Sequence, residues 1–270
     1  YLPLLEETGH MPTEKYAHAP EILGHCQRIG KQYGLYDNAL FHTEVTGLEW
    51  DEVQAAWVVR TNRGDEFTTR FIGMGTGPLH VAKLPDVPGI EEFRGHSFHT
   101  SRWDYAYTGG DPSGAPMDRL AGKRVAIIGT GATAIQVVPN VARDAGELWV
   151  FQRTPSSVDV RNNTPTDPDW FATIATPGWQ KRWLENFTAN TMGAMGMSND
   201  EDLVMDGWTD IARRVKAKIF ERMSQGGEFS VNTLMEAFED ADFEKMEEIR
   251  ARIDSIVEDR ETANGLKAWY

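Results

Sequence analysis

From Ala19 to Tyr33 apolar side chains fall at Ile22, Leu23, Cys26 and Ile29, which predicts a helix with one apolar face, Pro20 in its first turn and an end near Gly34. Then the period changes. Three short runs, LFHTEVTGLEW, AAWVVRTNRG and FTTRFIGMGTG, are rich in Val, Thr, Phe and Trp, with turn residues Asn62 to Asp65 between the second and third. They predict an antiparallel meander. Leu84 to Gly89 contains Pro85 and Pro88, which disfavour helix and predict an extended crossing at a domain boundary. Arg124 to Ile128 is a short apolar run of the kind buried on both faces of a parallel sheet. A helix from Ala132 to Ala142, kinked at Pro139, and a second parallel strand from Glu147 to Gln152 complete a β-α-β unit over 123–152. Beyond Pro165 apolar residues recur at helical spacing: Leu203, Met205 and Trp208, then Ile211, Val215, Ile219 and Met223, then Met246, Ile249, Ile253 and Ile256. The chain divides on this reading into 1–88, 89–165 and a mainly helical 166–270.

Composition narrows the partners. The chain has 270 residues, 40% hydrophobic and 25% charged, ordinary for one large or two small globular domains. Its formal charge of -14 argues against nucleic acid or an anionic membrane surface and in favour of small molecules. Residues 199–270 hold 18 Asp and Glu against 10 Lys and Arg, -8 of that total, and read as solvated helical faces rather than an acidic tail. No apolar run reaches the length of a membrane span and no export signal is visible, so a cytoplasmic location is expected. The single cysteine, Cys26, rules out an internal disulfide or a C-x-x-C pair and reads as a small buried side chain. The chain starts at Tyr1 without an initiator methionine and stops at LKAWY, which reads as an internal piece of a longer protein.

Two motifs carry chemistry. In VAIIGTGATA, Val125 to Ala134, a strand ends in Gly129-Thr130-Gly131 and opens a helix, gathering backbone N–H groups at the helix's positive end as a pyrophosphate site. Gly129 permits the turn, Gly131 the approach of phosphate, and Ala134 close helix–strand packing. A glycine turn without ligand is the plainer alternative. An NAD site places a carboxylate at the end of the second strand; here stand Gln152, Arg153 and Thr154, and Arg153 could fork onto a 2′-phosphate. The cofactor predicted is NADPH, unless Arg153 is an ordinary surface arginine. The second motif is FRGHSFHTSRWD, Phe93 to Asp104, in which His99 and Trp103, four apart, share one side of either a helix or a strand. Physics alone reads them as a packed structural pair, and His96 with His99 lacks a third metal ligand nearby.

Phe93, Gly95, His99, Trp103 and Asp104, followed by GTGATA and FQRTP, resemble the type I Baeyer–Villiger monooxygenases, which use NADPH and FAD. YLPLLEE and GMGTGPL extend the resemblance over essentially the whole chain, and IATPGWQKRW with LKAWY is closest to the subgroup of cyclopentadecanone monooxygenase. The resemblance implies an α/β flavoprotein fold of two dinucleotide-binding, three-layer Rossmann-like domains, with 1–88 a partial FAD domain, 89–165 the NADP domain and 166–270 an insertion. It implies that Gly129, Thr130, Gly131, Ala132, Thr133, Ala134, Ile135, Gln136, Arg153 and Thr154 hold NADP. Val45 would meet the FAD adenine through its backbone. His99 and Trp103 would act at a hinge by conformational control. A ketone and O2 would be the substrates, although the family's FAD glycine motif, an active-site aspartate and the catalytic arginine fall outside this sequence, so the piece alone is expected to be inactive. Flavin monooxygenases that oxidise nitrogen or sulfur, which usually show Tyr or Phe in place of Trp103, and a non-catalytic NADP-binding module are the alternatives.

Overall fold

The change of hydrophobic period after residue 40 is where the chain turns from helix to sheet. In the computed structural model, which describes residues 2–79, 81–191 and 201–269, internal contacts define two units, Gln27–Asp104 and Tyr1–Cys26 with Tyr105–Tyr270. Each is described by itself.

In the Tyr1–Cys26 part, α1 spans Leu5–Thr8 and α2 begins at Ala19, running to Gln32 as its spacing predicts. Cys26 corrects an expectation. It is exposed, as are Ile22 and Leu23, whereas His25 is buried. The leading segment lies against the His25 side of α2: His25 Nε2 donates to the Pro3 carbonyl at 2.6 Å, and the His10 ring stacks on it at 5.1 Å.

The unit Gln27–Asp104 is built on β1 (Val45–Asp51), β2 (Ala56–Thr61) and β3 (Glu66–Thr69), an antiparallel sheet in the order β1-β2-β3. Trp50 stands opposite Trp57, and their rings meet edge to face at 5.5 Å. Arg60 on the central strand pairs with Glu49 and Glu66 on its neighbours, each at 2.9 Å. The turn between β2 and β3 closes at Gly64, whose φ of 82° suits glycine. Past Thr69 none of the described residues is in a helix or strand until a 3-10 turn at Ile90–Glu92, in keeping with Pro85 and Pro88.

In the other unit, α3 (Tyr105–Thr108) leads to β4 (Arg124–Ile128), α4 (Ala132–Asp144) and β5 (Glu147–Phe151). Strands β4 and β5 pair in parallel, Arg124 opposite Glu147 through Ile128 opposite Phe151. The helix continues through Pro139 to Asp144. Burial on both faces does not hold: Val125, Ile127 and Leu148 are half-buried, but Ile128 is 65% and Trp149 57% exposed. Among the described residues this sheet has two strands, and the face that carries Ile128, Trp149 and Phe151 lacks cover.

Among the described residues five helices follow: α5 (Pro168–Ile174), α6 (Trp179–Thr191), α7 (Asp210–Ser224), α8 (Val231–Ile256) and α9 (Arg260–Leu266). Helix α6 is tied to α1 by Gln180, which accepts from the Leu5 N–H at 2.8 Å and donates to the Leu2 carbonyl at 2.6 Å. Val215 and Ile219 of α7 pack on Leu234, Ala237 and Ala241 of α8, the two alanines allowing close approach. Arg214 with Glu248, Lys218 with Glu244 and Arg222 with Asp240 flank that seam, so part of the acidic excess is paired. Leu203, Met205 and Trp208 are not helical. Asp202 accepts from the N–H groups of Val204 and Met205, and Asp206 from that of Trp208, giving local turns that compete with helix.

Candidate functional site

At the carboxyl ends of β4 and β5, the Gly129 N–H donates to the Phe151 carbonyl at 2.8 Å, fastening the start of the turn to the second strand. Gly129 has φ 105°, which a side chain would strain. Gly131 occupies the N-cap of α4 and no side chain caps the helix there, so the N–H groups of the first turn have no intrahelical acceptor. Gly131, Ala132 and Thr133 are exposed, and a Cβ built at Gly129 or Gly131 would meet nothing within 4 Å. The positive end of α4 therefore opens on space that an anion can enter. Ala134 is buried at the foot of that turn, as its small side chain predicts. Gln136 folds back to the Ala132 carbonyl at 3.1 Å, and Ile135 is exposed.

The segment after β5 comes to the same place. Thr130 Oγ1 donates to the Thr154 carbonyl at 3.4 Å and accepts from Ser156 Oγ at 3.4 Å. Arg153 is exposed, with no carboxylate paired to it among the described residues, and no acid stands at the end of β5. Ser156 had no signal in the sequence, because its role depends on the path of a loop. At the far end of α4, the Arg143 guanidinium and the Met117 N–H beside Asp144 hold its carboxyl down to about 2, which ties the helix end to the preceding loop.

Residues 93–104 form a second cluster in the Gln27–Asp104 unit. His99 caps a 3-10 turn over Thr100–Arg102, accepting from the Ser101 N–H at 3.2 Å, with Ser101 Oγ 2.8 Å from the same nitrogen. The backbone is neither α-helix nor strand, so the four-residue spacing does not pair His99 with Trp103 as expected. Trp103 meets Phe98 edge to face at 5.2 Å, and His96 Nε2 donates to Asp104 at 2.9 Å. Phe98 and His96 are thus the partners that spacing alone missed. A Cβ at Gly95 would overlap the Phe93 ring. Val45, half exposed, begins β1 opposite Thr61, beside a bulge that ends at Gly47. Among the described residues no three His, Cys, Asp or Glu side chains converge as a metal site, and no helix is long and apolar enough to cross a membrane.

No protein-family model matches the chain. It is 53% identical over its whole length to neopentalenolactone D synthase of Streptomyces avermitilis, and 56% identical to Baeyer–Villiger monooxygenase ATR8 of Stachybotrys chlorohalonatus, covering 44% and 42% of those proteins. The chain thus spans less than half the length of these curated relatives. Among solved structures it matches a polycyclic ketone monooxygenase of the fungus Thermothelomyces thermophila with a TM-score of 0.84 and 39% identity, covering all of this chain and 44% of that one. A steroid monooxygenase bound to NADP matches with a TM-score of 0.68 and 28% identity, over 98% of this chain and 48% of that one. The architecture is therefore that of the two-dinucleotide-binding-domain flavoproteins, and over its whole length the chain matches, in sequence and fold, rather less than half of Baeyer–Villiger monooxygenases.

Proposed function

We propose that the parent-length protein converts a ketone, O2, NADPH and a proton into an ester or lactone, NADP and water, and that this chain supplies mainly the NADP-binding part. One observation carries the reading. The uncapped start of α4 and the exposed Arg153 stand at the same ends of two parallel strands, with no acid where an NAD site would place one. Gly129, Thr130, Gly131, Ala132, Thr133 and Ala134 would shape the pyrophosphate turn, with Ile135 and Gln136 continuing the helix behind it. Arg153 and Thr154 would take the 2′-phosphate. NADPH supplies the hydride that reduces FAD, and solved relatives carry FAD and NADP together. Val45 is this chain's proposed contact with FAD. His99 and Trp103 would act through the conformation of 93–104, held by the Ser101 and Phe98 contacts.

The proposed division is a partial FAD domain over 1–88, an NADP domain over 89–165 and an insertion over 166–270. IATPGWQKRW and LKAWY support the subgroup of cyclopentadecanone monooxygenase. Parent-length protein given NADPH, a panel of cyclic ketones and isotopically heavy O2 should yield esters or lactones carrying one heavy oxygen. NADPH consumption with no labelled ester from any ketone would reject the reaction. The isolated chain should purify without flavin and leave the same ketones unchanged.

A further inference from the structure

Arg153 and Thr154 lie in a stretch without helix or strand, between β5 and α5. Side-chain contacts set its path. At its entry the Gln152 amide donates to the Gly265 carbonyl in α9 at 2.7 Å. Further along, Arg252 of α8 donates to the Val158 carbonyl at 3.2 Å, and Lys245, about two turns earlier on the same face, pairs with Asp159 at 2.5 Å. Burial pushes the Asp159 carboxyl up, but the Lys245 ammonium and the Val160 N–H more than offset that and hold it low. On the other side, among the described residues, two long contacts, both at 3.4 Å and both through Thr130, join the stretch to the glycine turn. The firm anchors of residues 152–159, the part that carries Arg153, thus come from helices roughly ninety or more residues later in the chain, whereas residues 163–166 are held by residues 13–16.

We propose that α8 and α9 are positioning elements for nucleotide selectivity: Lys245, Arg252 and the Gly265 carbonyl clamp Gln152 to Asp159 so that Arg153 is presented beside the start of α4. The inference rests on the reading of that turn as an NADP site. It gives the helical segment a role in choosing between NADPH and NADH without touching either. A loop with its ends fixed loses less entropy when its arginine engages a phosphate, which is the physical benefit of the clamp.

The test titrates the 270-residue chain with NADPH and with NADH and compares the ratio of dissociation constants among variants. Asp159→Asn removes the ion pair of the second anchor, leaves the Arg252 bond to the Val158 carbonyl in place, and leaves Lys245 its contacts with Asp210 and Glu248, so α7 and α8 stay joined. Gln152→Leu removes the entry anchor, and Lys245→Arg keeps the charge. Asp159→Asn and Gln152→Leu should each lower the preference for NADPH by about fivefold, the worth of one ordinary hydrogen bond. Lys245→Arg should retain it, and NADH affinity should move little in all three. If Arg153→Ala abolishes the preference while Asp159→Asn and Gln152→Leu keep it, the clamp is refuted and the NADP site stands. If Arg153→Ala keeps the preference as well, the NADP reading fails and the clamp with it.

Discussion

Gly146 joins α4 to β5 so close to Gly122 that a Cβ would stand 2.6 Å from the Gly122 α-carbon, against backbone that cannot swing aside. Gly146→Ala should destabilise the chain by about 1–3 kcal/mol, read as a lower urea midpoint; an unchanged midpoint would contradict the packing described. Asp144 offers a test by pH. Its folded-state pKa, about 2, lies below the ordinary aspartate value of about 3.9, so its contribution is present above that value and is lost as pH falls toward 2. Asp144→Asn should therefore flatten the acid limb of stability against pH, and a variant with an unaltered limb would show that Arg143 and Met117 do not hold the carboxylate. At Arg153, replacement by alanine should cost NADPH about tenfold or more in affinity and NADH little, as a charge-assisted contact predicts. The positions of Gly129, Gly131, Ala134 and Arg153 around the turn were legible because these residues sit at fixed offsets from a strand end. Gly146 was not, because its neighbour is distant in sequence. The His99–Trp103 pairing failed because a 3-10 turn, with three residues per turn, moves side chains four apart off a common line.

At the scale of elements, helical spacing located α7 and α8 because one face of each packs on the other, and runs rich in Val, Thr, Phe and Trp with turn residues between them located the meander. Ile219 is 1% exposed in the α7–α8 seam, so Ile219→Ala should cost about 2–5 kcal/mol, visible as a fall in Tm of the helical segment. An effect below about 1 kcal/mol would mean that the seam is not packed as described. Ser230 accepts from the Thr233 N–H at the start of α8, and Ser230→Ala should cost about 1 kcal/mol by the same measurement. Leu203 to Trp208 shows where periodicity misleads. Apolar residues there have helical spacing, but two aspartates capture the local N–H groups, and such side-chain competition is invisible to a pattern of hydrophobicity.

At the scale of the whole molecule, the predicted burial of Cys26 and of both faces of β4 failed for a shared reason. Those predictions assumed cover that the described residues do not provide, and the chain spans 44% and 42% of the lengths of two curated relatives. Ile128, Trp149 and Phe151 lie on the open side of the parallel pair. The isolated chain should accordingly bind a hydrophobic dye such as ANS, and the parent-length protein should bind less per molecule; equal binding would mean that the face stays open in both. The β-α-β unit was legible because it depends on a short contiguous stretch, whereas the proposed clamp from α8 and α9 depends on contacts across about a hundred residues. The central claim is that this chain carries an NADP site whose selectivity resides in Arg153. Calorimetric titration of the purified chain with NADPH and with NADH tests it most directly: one site with clear preference for NADPH, lost in Arg153→Ala, is predicted, and equal affinity for the two nucleotides, or a preference that survives Arg153→Ala, would contradict it.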